Sequence, residues 1–227
     1  MQRSDPPLDR RGLLIVSLPR NDPDLAQAAI DGGADLLKVH VNVHHRASGT
    51  RFAPLHEEQP HLDAILALGT PTGLVPGEER MVSREDIPYL RRFAFLDAYL
   101  MYLPPYLYDA GVPVIPAIPH DYALEALPGA LRTLPGEWVE ASLVPPGGYG
   151  QPPAPDDLAA LARLGEVSGR RLIVPTQRRI TPADLDRYFA VPAVWAIMIG
   201  VIVTGADAPG VRDATAAFRR SLDGLFP

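Results

Sequence analysis

Apolar residues come in short runs separated by segments with helix signals. The run Gly12 to Leu18 (GLLIVSL) is continuous, the pattern of a parallel strand covered on both faces. Asp22 stands where a helix is capped, Pro23 takes the first helical position, and Gly32-Gly33 ends the helix. A second run, Leu36 to Val43 (LLKVHVNV), follows almost at once and completes a βαβ unit. Here the pattern alternates. Leu37, Val39, Val41 and Val43 fall on one face, and Lys38, His40 and Asn42 on the other. An apolar face backed by helices and a polar face bearing a lysine describe a strand of an enzyme barrel. A polar edge strand, or a buried ion pair inside a barrel, fits the same pattern.

The alternation of strand and helix continues. A long connection holding most of the histidines leads to a helix over His61 to Leu68. Thr72 to Pro76 (TGLVP) reads as a third strand, and Ser83 caps a helix with Asp86 in the box position. Ala94 to Met101 is a fourth strand, followed by a Pro-Pro turn of helix and a fifth strand, Val112 to Ile118, with His120 and Asp121 at its end. Tyr122 to Leu134 reads as helix and Trp138 to Val144 as the sixth strand. Pro145 to Pro155 is a Pro/Gly loop, either a connector or a lid over a site. Asp156 or Asp157 begins the next helix, and Arg171 to Thr176 is the seventh strand. Thr181 caps a helix with Pro182 first and Asp184 third. Val194 to Val203 is the eighth strand plus a turn, and Val211 to Leu222 the closing helix. Eight strands alternating with helices, with no linker of distinct composition, predict an α/β fold, a single-domain (β/α)8 TIM barrel over residues 1–227. An open doubly wound sheet is the alternative. It needs fewer strands and a Gly-rich first turn, and no G-x-G-x-x-G follows the first strand.

Composition sharpens one position. Lys38 is the only lysine of the chain; the other permanent cations are arginines. Lysine differs from arginine in kind, because its compact ammonium can lose a proton and act as acid, base or imine-forming amine. The formal charge of −6 and the lack of any basic cluster beyond pairs such as Arg91-Arg92 argue against a nucleic-acid partner. The absence of cysteine excludes disulfides, thiolate metal sites and cysteine nucleophiles. The opening MQRSDPPLDRRG has no apolar signal core, and the longest apolar run, Ala190 to Val203, contains Pro192 and is too short to span a bilayer. These features predict a soluble cytoplasmic protein without a membrane partner.

Barrel sites lie at the carboxyl ends of the strands. Strand parity predicts an inward set of Lys38, His40, Asn42, Asp97, Tyr99, Glu140, Ser142 and Gln177. Burying so many polar groups is costly unless they pair or serve a ligand. Lys38 with Glu140 or Asp97 is either a structural pair or an acid/base couple. His40, His44, His45, His56 and His61 crowd one strand and one loop beside Glu57 and Glu58. A metal site from His40 or His44 with a carboxylate is chemically reasonable, but no H-E-x-x-H spacing occurs, and surface histidines are the preferred reading. Arg46 to Thr50 has the composition to contact an anionic ligand, while Tyr102, Tyr106 and Tyr108 are expected to pack the rim or a subunit contact.

The ending AIMIGVIVTG, followed by ADAPGVRDATAAFRRSL, resembles the eighth strand and last helix of phosphate-binding barrels of the ribulose-phosphate-binding type. Thr204 to Phe218 is similar to the ending of N-acylmannosamine-6-phosphate 2-epimerases, and so is GLLIVS followed by a helix ending in GGAD. The resemblance covers roughly the first fifty and the last thirty residues. It implies a phosphate held by backbone amides at Gly200 and Val201. The departures are specific. Ser17 and Leu18 stand where that family has cysteine and glutamine. The third strand carries no lysine, and Pro175-Thr176-Gln177-Arg178 replaces a Gly-rich loop, so Arg178 or Arg179 would substitute for backbone donors.

The resulting expectation is an isomerase or epimerase acting on a small phosphorylated, sugar-like metabolite. Lys38 and Glu140 transfer protons next to a carbonyl, and His40, Asn42 and Asp97 position substrate or stabilise an enolate. Gln177 lies beside the ligand, and Gly200, Val201 and Arg178 hold the phosphate. No cofactor or metal is expected, and a homodimer is compatible with so small a barrel. A Schiff-base aldolase or lyase using Lys38, and a non-catalytic barrel binding a phosphorylated metabolite, are the alternatives.

Overall fold

The computed structural model describes residues 8–227. The first half of the opening read for a signal core therefore lies outside the described residues. Eight strands pair in parallel and in chain order, and the last returns to the first. They are Leu13–Ser17 (β1), Leu36–His40 (β2), Thr72–Val75 (β3), Phe95–Tyr99 (β4), Val114–Pro119 (β5), Trp138–Ser142 (β6), Arg171–Pro175 (β7) and Val194–Ile199 (β8). The helices are Pro23–Asp31 (α1), Leu55–Ala67 (α2), Ile87–Leu90 (α3), Pro105–Tyr108 (α4), Leu127–Leu131 (α5), Pro155–Ser168 (α6), Leu185–Phe189 (α7), Val201–Thr204 (α8) and Ala208–Leu225 (α9). The chain is a (β/α)8 barrel, as the strand count predicts.

Alternation along each strand divides the core into two shells. Leu14, Val16, Leu37, Val39, Leu74, Leu96 and Ile197 point outward and pack against the helices. Leu13, Ile15, Leu36, Phe95, Ile115, Ile173 and Met198 fill the barrel itself. The interior is tight at β3. A Cβ at Gly73 would lie 2.1 Å from the Phe95 ring, so the missing side chain of β3 is the seat of that phenyl group. At the amino ends of the strands Trp138 and Trp195 meet edge to face at 6.2 Å, and the Arg171 guanidinium lies 4.0 Å from the Trp195 ring centre. That end is closed by side chains.

Several boundaries differ from the sequence reading. β2 stops at His40, because Asn42 adopts a left-handed φ of 55° and the chain turns there. Asn42 therefore does not continue the inward face of Lys38 and His40. α2 begins six residues earlier than expected, before Pro60. Its first turn carries Glu58, whose Oε1 accepts from the Ala53 amide at 2.9 Å and whose Oε2 accepts from Asn21 at 2.9 Å. The expected helix over Tyr122 to Leu134 contracts to α5, preceded by a single 3-10 turn over residues 124–126. The boxes at Ser83 and Thr181 are both made. Asp86 accepts from the Ser83 amide at 2.7 Å, and Asp184 from the Thr181 amide at 2.8 Å.

Candidate functional site

The third residues of β2, β4 and β6 are Lys38, Asp97 and Glu140. Alternate strands of a barrel send side chains to one interior layer. Here that layer is ionic. Lys38 Nζ donates to Asp97 Oδ2 at 2.8 Å and to Glu140 Oε2 at 2.5 Å. The Ser142 hydroxyl, two residues on along β6, donates to the other Glu140 oxygen at 2.6 Å. All four residues are buried.

Burial acts on each group in the triad, and the neighbours decide the outcome. Desolvation alone would lower the Lys38 pKa, but the charges and hydrogen bonds of Asp97 and Glu140 override it and the net shift is upward. Burial also favours a neutral Glu140, yet the Lys38 ammonium and the hydrogen bonds from its neighbours bring that carboxyl down to about 2. Asp97 goes the other way. Burial and the adjacent Glu140 charge push it well above the ordinary carboxylate range, against the pull of Lys38. Of the two carboxyls beside the one cation, Asp97 is therefore the one that favours its proton and Glu140 the one that favours its charge. An ammonium has three N–H donors, of which the carboxylates take two.

Above the triad a pocket of about 820 Å³, counting its open mouth, stands at the carboxyl ends of the strands. Lys38, His40, Asp97, Glu140, Gln177, Gly200 and Val201 all line it. The inward residues Tyr99 and Ser142 line it too. Two predicted site residues do not. Asn42 leaves the strand, as described, and its amide donates to Ala53. Arg178 turns away from the pocket, where Asp157 takes its Nε at 2.9 Å and its second terminal nitrogen at 3.0 Å. A bidentate pair satisfies the guanidinium fork and leaves it no reach toward a ligand. Gln177 is a wall residue rather than a free one: its Oε1 accepts from the Val144 amide at 3.0 Å and its Nε2 donates to the Tyr149 hydroxyl at 2.7 Å.

The β8 turn is partly occupied as well. The Gly200 amide donates to the Thr176 hydroxyl at 3.0 Å. Val201 and Ile202, the first residues of α8, line the pocket, and first-turn amides have no acceptor within their own helix.

The sequence reading placed no ligand role on His45, Glu78, Tyr149 and Thr176, all of which line the pocket, and Arg46, read as able to contact an anionic ligand, lines it too. His45 corrects the surface-histidine reading, since burial lowers its pKa to about 4 and its Nδ1 lies 2.8 Å from the Ser48 hydroxyl. His44, His56 and His61 are exposed. Among the described residues no group of three or more His, Asp or Glu side chains is arranged to hold a metal. The Tyr149 signal was its place in the Pro/Gly loop, from which it alone reaches the pocket wall.

No protein-family model matches the sequence, and no curated protein matches it. Solved structures do. Phosphoribosyl anthranilate isomerase from Thermus thermophilus is similar at 21% identity and a TM-score of 0.61, over 94% of this chain and 99% of that one. Tryptophan synthase from Mycobacterium tuberculosis is similar at 16% identity and a TM-score of 0.71, over 93% of each chain. N-(5'-phosphoribosyl)anthranilate isomerase from Pyrococcus furiosus follows at 13% identity and a TM-score of 0.60, over 93% of this chain and 99% of that one. Identities this low show a common fold.

Proposed function

We propose that the chain is an enzyme that moves a proton next to a carbonyl of a small phosphorylated metabolite, an isomerase or epimerase. The observation that carries this reading is the buried Lys38–Asp97–Glu140 triad beneath an open pocket at the carboxyl ends of the strands. A structural ion pair needs one acid for one lysine. Here a second buried acid brings a proton and a carboxylate into the same layer, which is what acid/base exchange requires. The reading assigns the ionised carboxylate as base, the protonated partner as acid, and the third Lys38 N–H as donor to the oxygen that gains charge.

The phosphate part rests on the first-turn amides of Val201 and Ile202, on the resemblance of the ending to phosphate-binding barrels, and on two neighbours named for isomerising a phosphoribosyl compound. Arg46 is the other cationic group of the pocket and makes no hydrogen bond or ion pair among the described residues, whereas Arg178 is committed to Asp157. Arg46 replaces Arg178 in the reading as the arginine that meets an anion. Imine formation by Lys38 is the weaker reading, because an ammonium held by two acids must first lose a strongly retained proton.

The test has two arms. Phosphorylated aldoses and ketoses are incubated with the enzyme in D2O, and deuterium wash-in at carbon is read by NMR, with Lys38→Met as control. Crystals are soaked in inorganic phosphate. Wash-in lost in the variant, with phosphate at the Val201 and Ile202 amides, is the expected result. No exchange on any sugar phosphate and an empty β8 turn at saturating phosphate would discard the reading.

A further inference from the structure

His40 ends β2 two residues beyond Lys38, is 2% exposed and lines the pocket. Its ring is fixed from two sides. Phe52 stacks on it at 4.7 Å, and His45 lies at 4.9 Å. Its backbone is fixed too: the Asn21 amide nitrogen donates to the His40 carbonyl at 2.7 Å, and the His40 amide donates to Asn21 Oδ1 at 3.2 Å. Within this mount, His40 Nδ1 is sealed from solvent and has no hydrogen-bond partner among the described residues.

An imidazole with one proton has one donor and one acceptor nitrogen. A sealed N–H without an acceptor is among the costliest unsatisfied groups in a protein, and a sealed lone pair is tolerated more often. The proton therefore belongs on the other nitrogen, the one able to meet a ligand. We propose that His40 carries its proton on Nε2 and presents that N–H to the substrate oxygen whose charge grows as the triad moves its proton. Lys38 and His40 then donate to the same oxygen from one strand, at neighbouring heights on one face.

The surroundings keep the ring in this form. Burial, the nearby His45 and the Lys38 ammonium all disfavour a second proton on His40. His45 is itself neutral near pH 7, and the Asp97 and Glu140 carboxyls that face the pocket from β4 and β6 are held by the Lys38 ammonium. A neutral donor does not hand over a full proton, so it polarises the oxygen without competing with Asp97 as acid.

The tautomer part stands on geometry alone, and the substrate contact rests on the function proposed above. The experiment separates them. Protein labelled with ¹⁵N-histidine is studied by long-range ¹H–¹⁵N correlation between pH 5 and pH 8. The expected His40 pattern is that of an Nε2–H imidazole, unchanged across the range. An Nδ1–H pattern, or an ordinary titration near pH 6.5, overturns the proposal.

Binding of 2-phosphoglycolate, a phosphorylated carboxylate, is then compared in His40→Gln and His40→Asn. The glutamine amide nitrogen can reach the place of Nε2, and the asparagine one cannot. Gln within about threefold of the unaltered protein and Asn weaker by at least about tenfold is the expected result, the latter being the size of one lost hydrogen bond. Equal losses in the two variants, or none, overturn the contact. If the unaltered protein binds neither 2-phosphoglycolate nor inorganic phosphate, the phosphorylated-substrate reading and the contact fail together, and the NMR pattern still decides the tautomer.

Discussion

At the scale of single residues the triad makes stability depend on pH in two directions. Glu140 is held at about 2, below its ordinary value of 4.5. A depressed carboxyl contributes stability above its unfolded value, and that contribution is lost as pH falls from 4.5 toward 2. Lys38 is raised above 10.5, so its contribution is complete below that value and is lost as pH climbs beyond it. Asp97, raised well above 3.8, gives stability that is complete below that value and drains away as pH rises through its folded pKa. Urea unfolding of Glu140→Gln should therefore lack most of the acid limb between pH 4.5 and 2, a difference on the order of 3 kcal/mol. An acid limb as steep as the unaltered one would mean that Glu140 is not the depressed group. Lys38→Met should lose roughly 3–5 kcal/mol at pH 7, the usual cost of stranding buried charge. The loss should shrink as pH falls, because without the ammonium the buried carboxyls protonate and leave little charge to strand. A penalty independent of pH would point to packing instead.

At the scale of elements, Gly73 and the loop after β6 carry different kinds of constraint. Gly73→Ala drives a methyl into the Phe95 ring. Overpacking of this sort costs about 1–3 kcal/mol, and Phe95→Leu in the same chain should return part of it. Additive losses in urea unfolding would deny the contact between β3 and β4. The loop over residues 145–151 is tied down through Tyr149 to Gln177 and through the Gly150 amide to the Gln177 carbonyl. Gln177→Leu should expose this loop to limited proteolysis while global stability changes by only about 1–3 kcal/mol, the worth of its two side-chain hydrogen bonds. Unchanged cleavage would leave the backbone bonds of Gly150 and Gln151 and the Arg178 contact to the Gly148 carbonyl as sufficient tethers.

The same two scales explain what could be read from the chain. Period-two alternation placed Lys38, Asp97 and Glu140 on inward faces, because a regular strand transmits parity without knowledge of its neighbours. Parity failed at Asn42, where a left-handed residue ends the strand. It could not foresee that Asp157 captures Arg178 or that Thr176 occupies the Gly200 amide, since both partners come from other elements. His45 read as surface because a loop histidine carries no periodic signal. Its burial depends on how residues 43–52 fold back onto His40 and Phe52.

For the whole molecule, the two ends of the barrel are separate instruments. The carboxyl ends carry the pocket and its buried charge, and the amino ends carry a plug of Trp138, Trp195 and Arg171. Barrels commonly divide stability and activity this way, since loops at one end can be specialised while the other end only has to close. Trp138 also begins the strand that bears Glu140, with one residue between them. If the interior layers are independent, Trp138→Ala should lower unfolding free energy by about 3–5 kcal/mol, as large aromatic deletions from a core do. Phosphate affinity measured by calorimetry should stay within about twofold, because Trp138 does not line the pocket. If affinity fell in step with stability, the plug would be part of what holds the ionic layer in register. The separation into a closing end and a working end would then not apply to this chain.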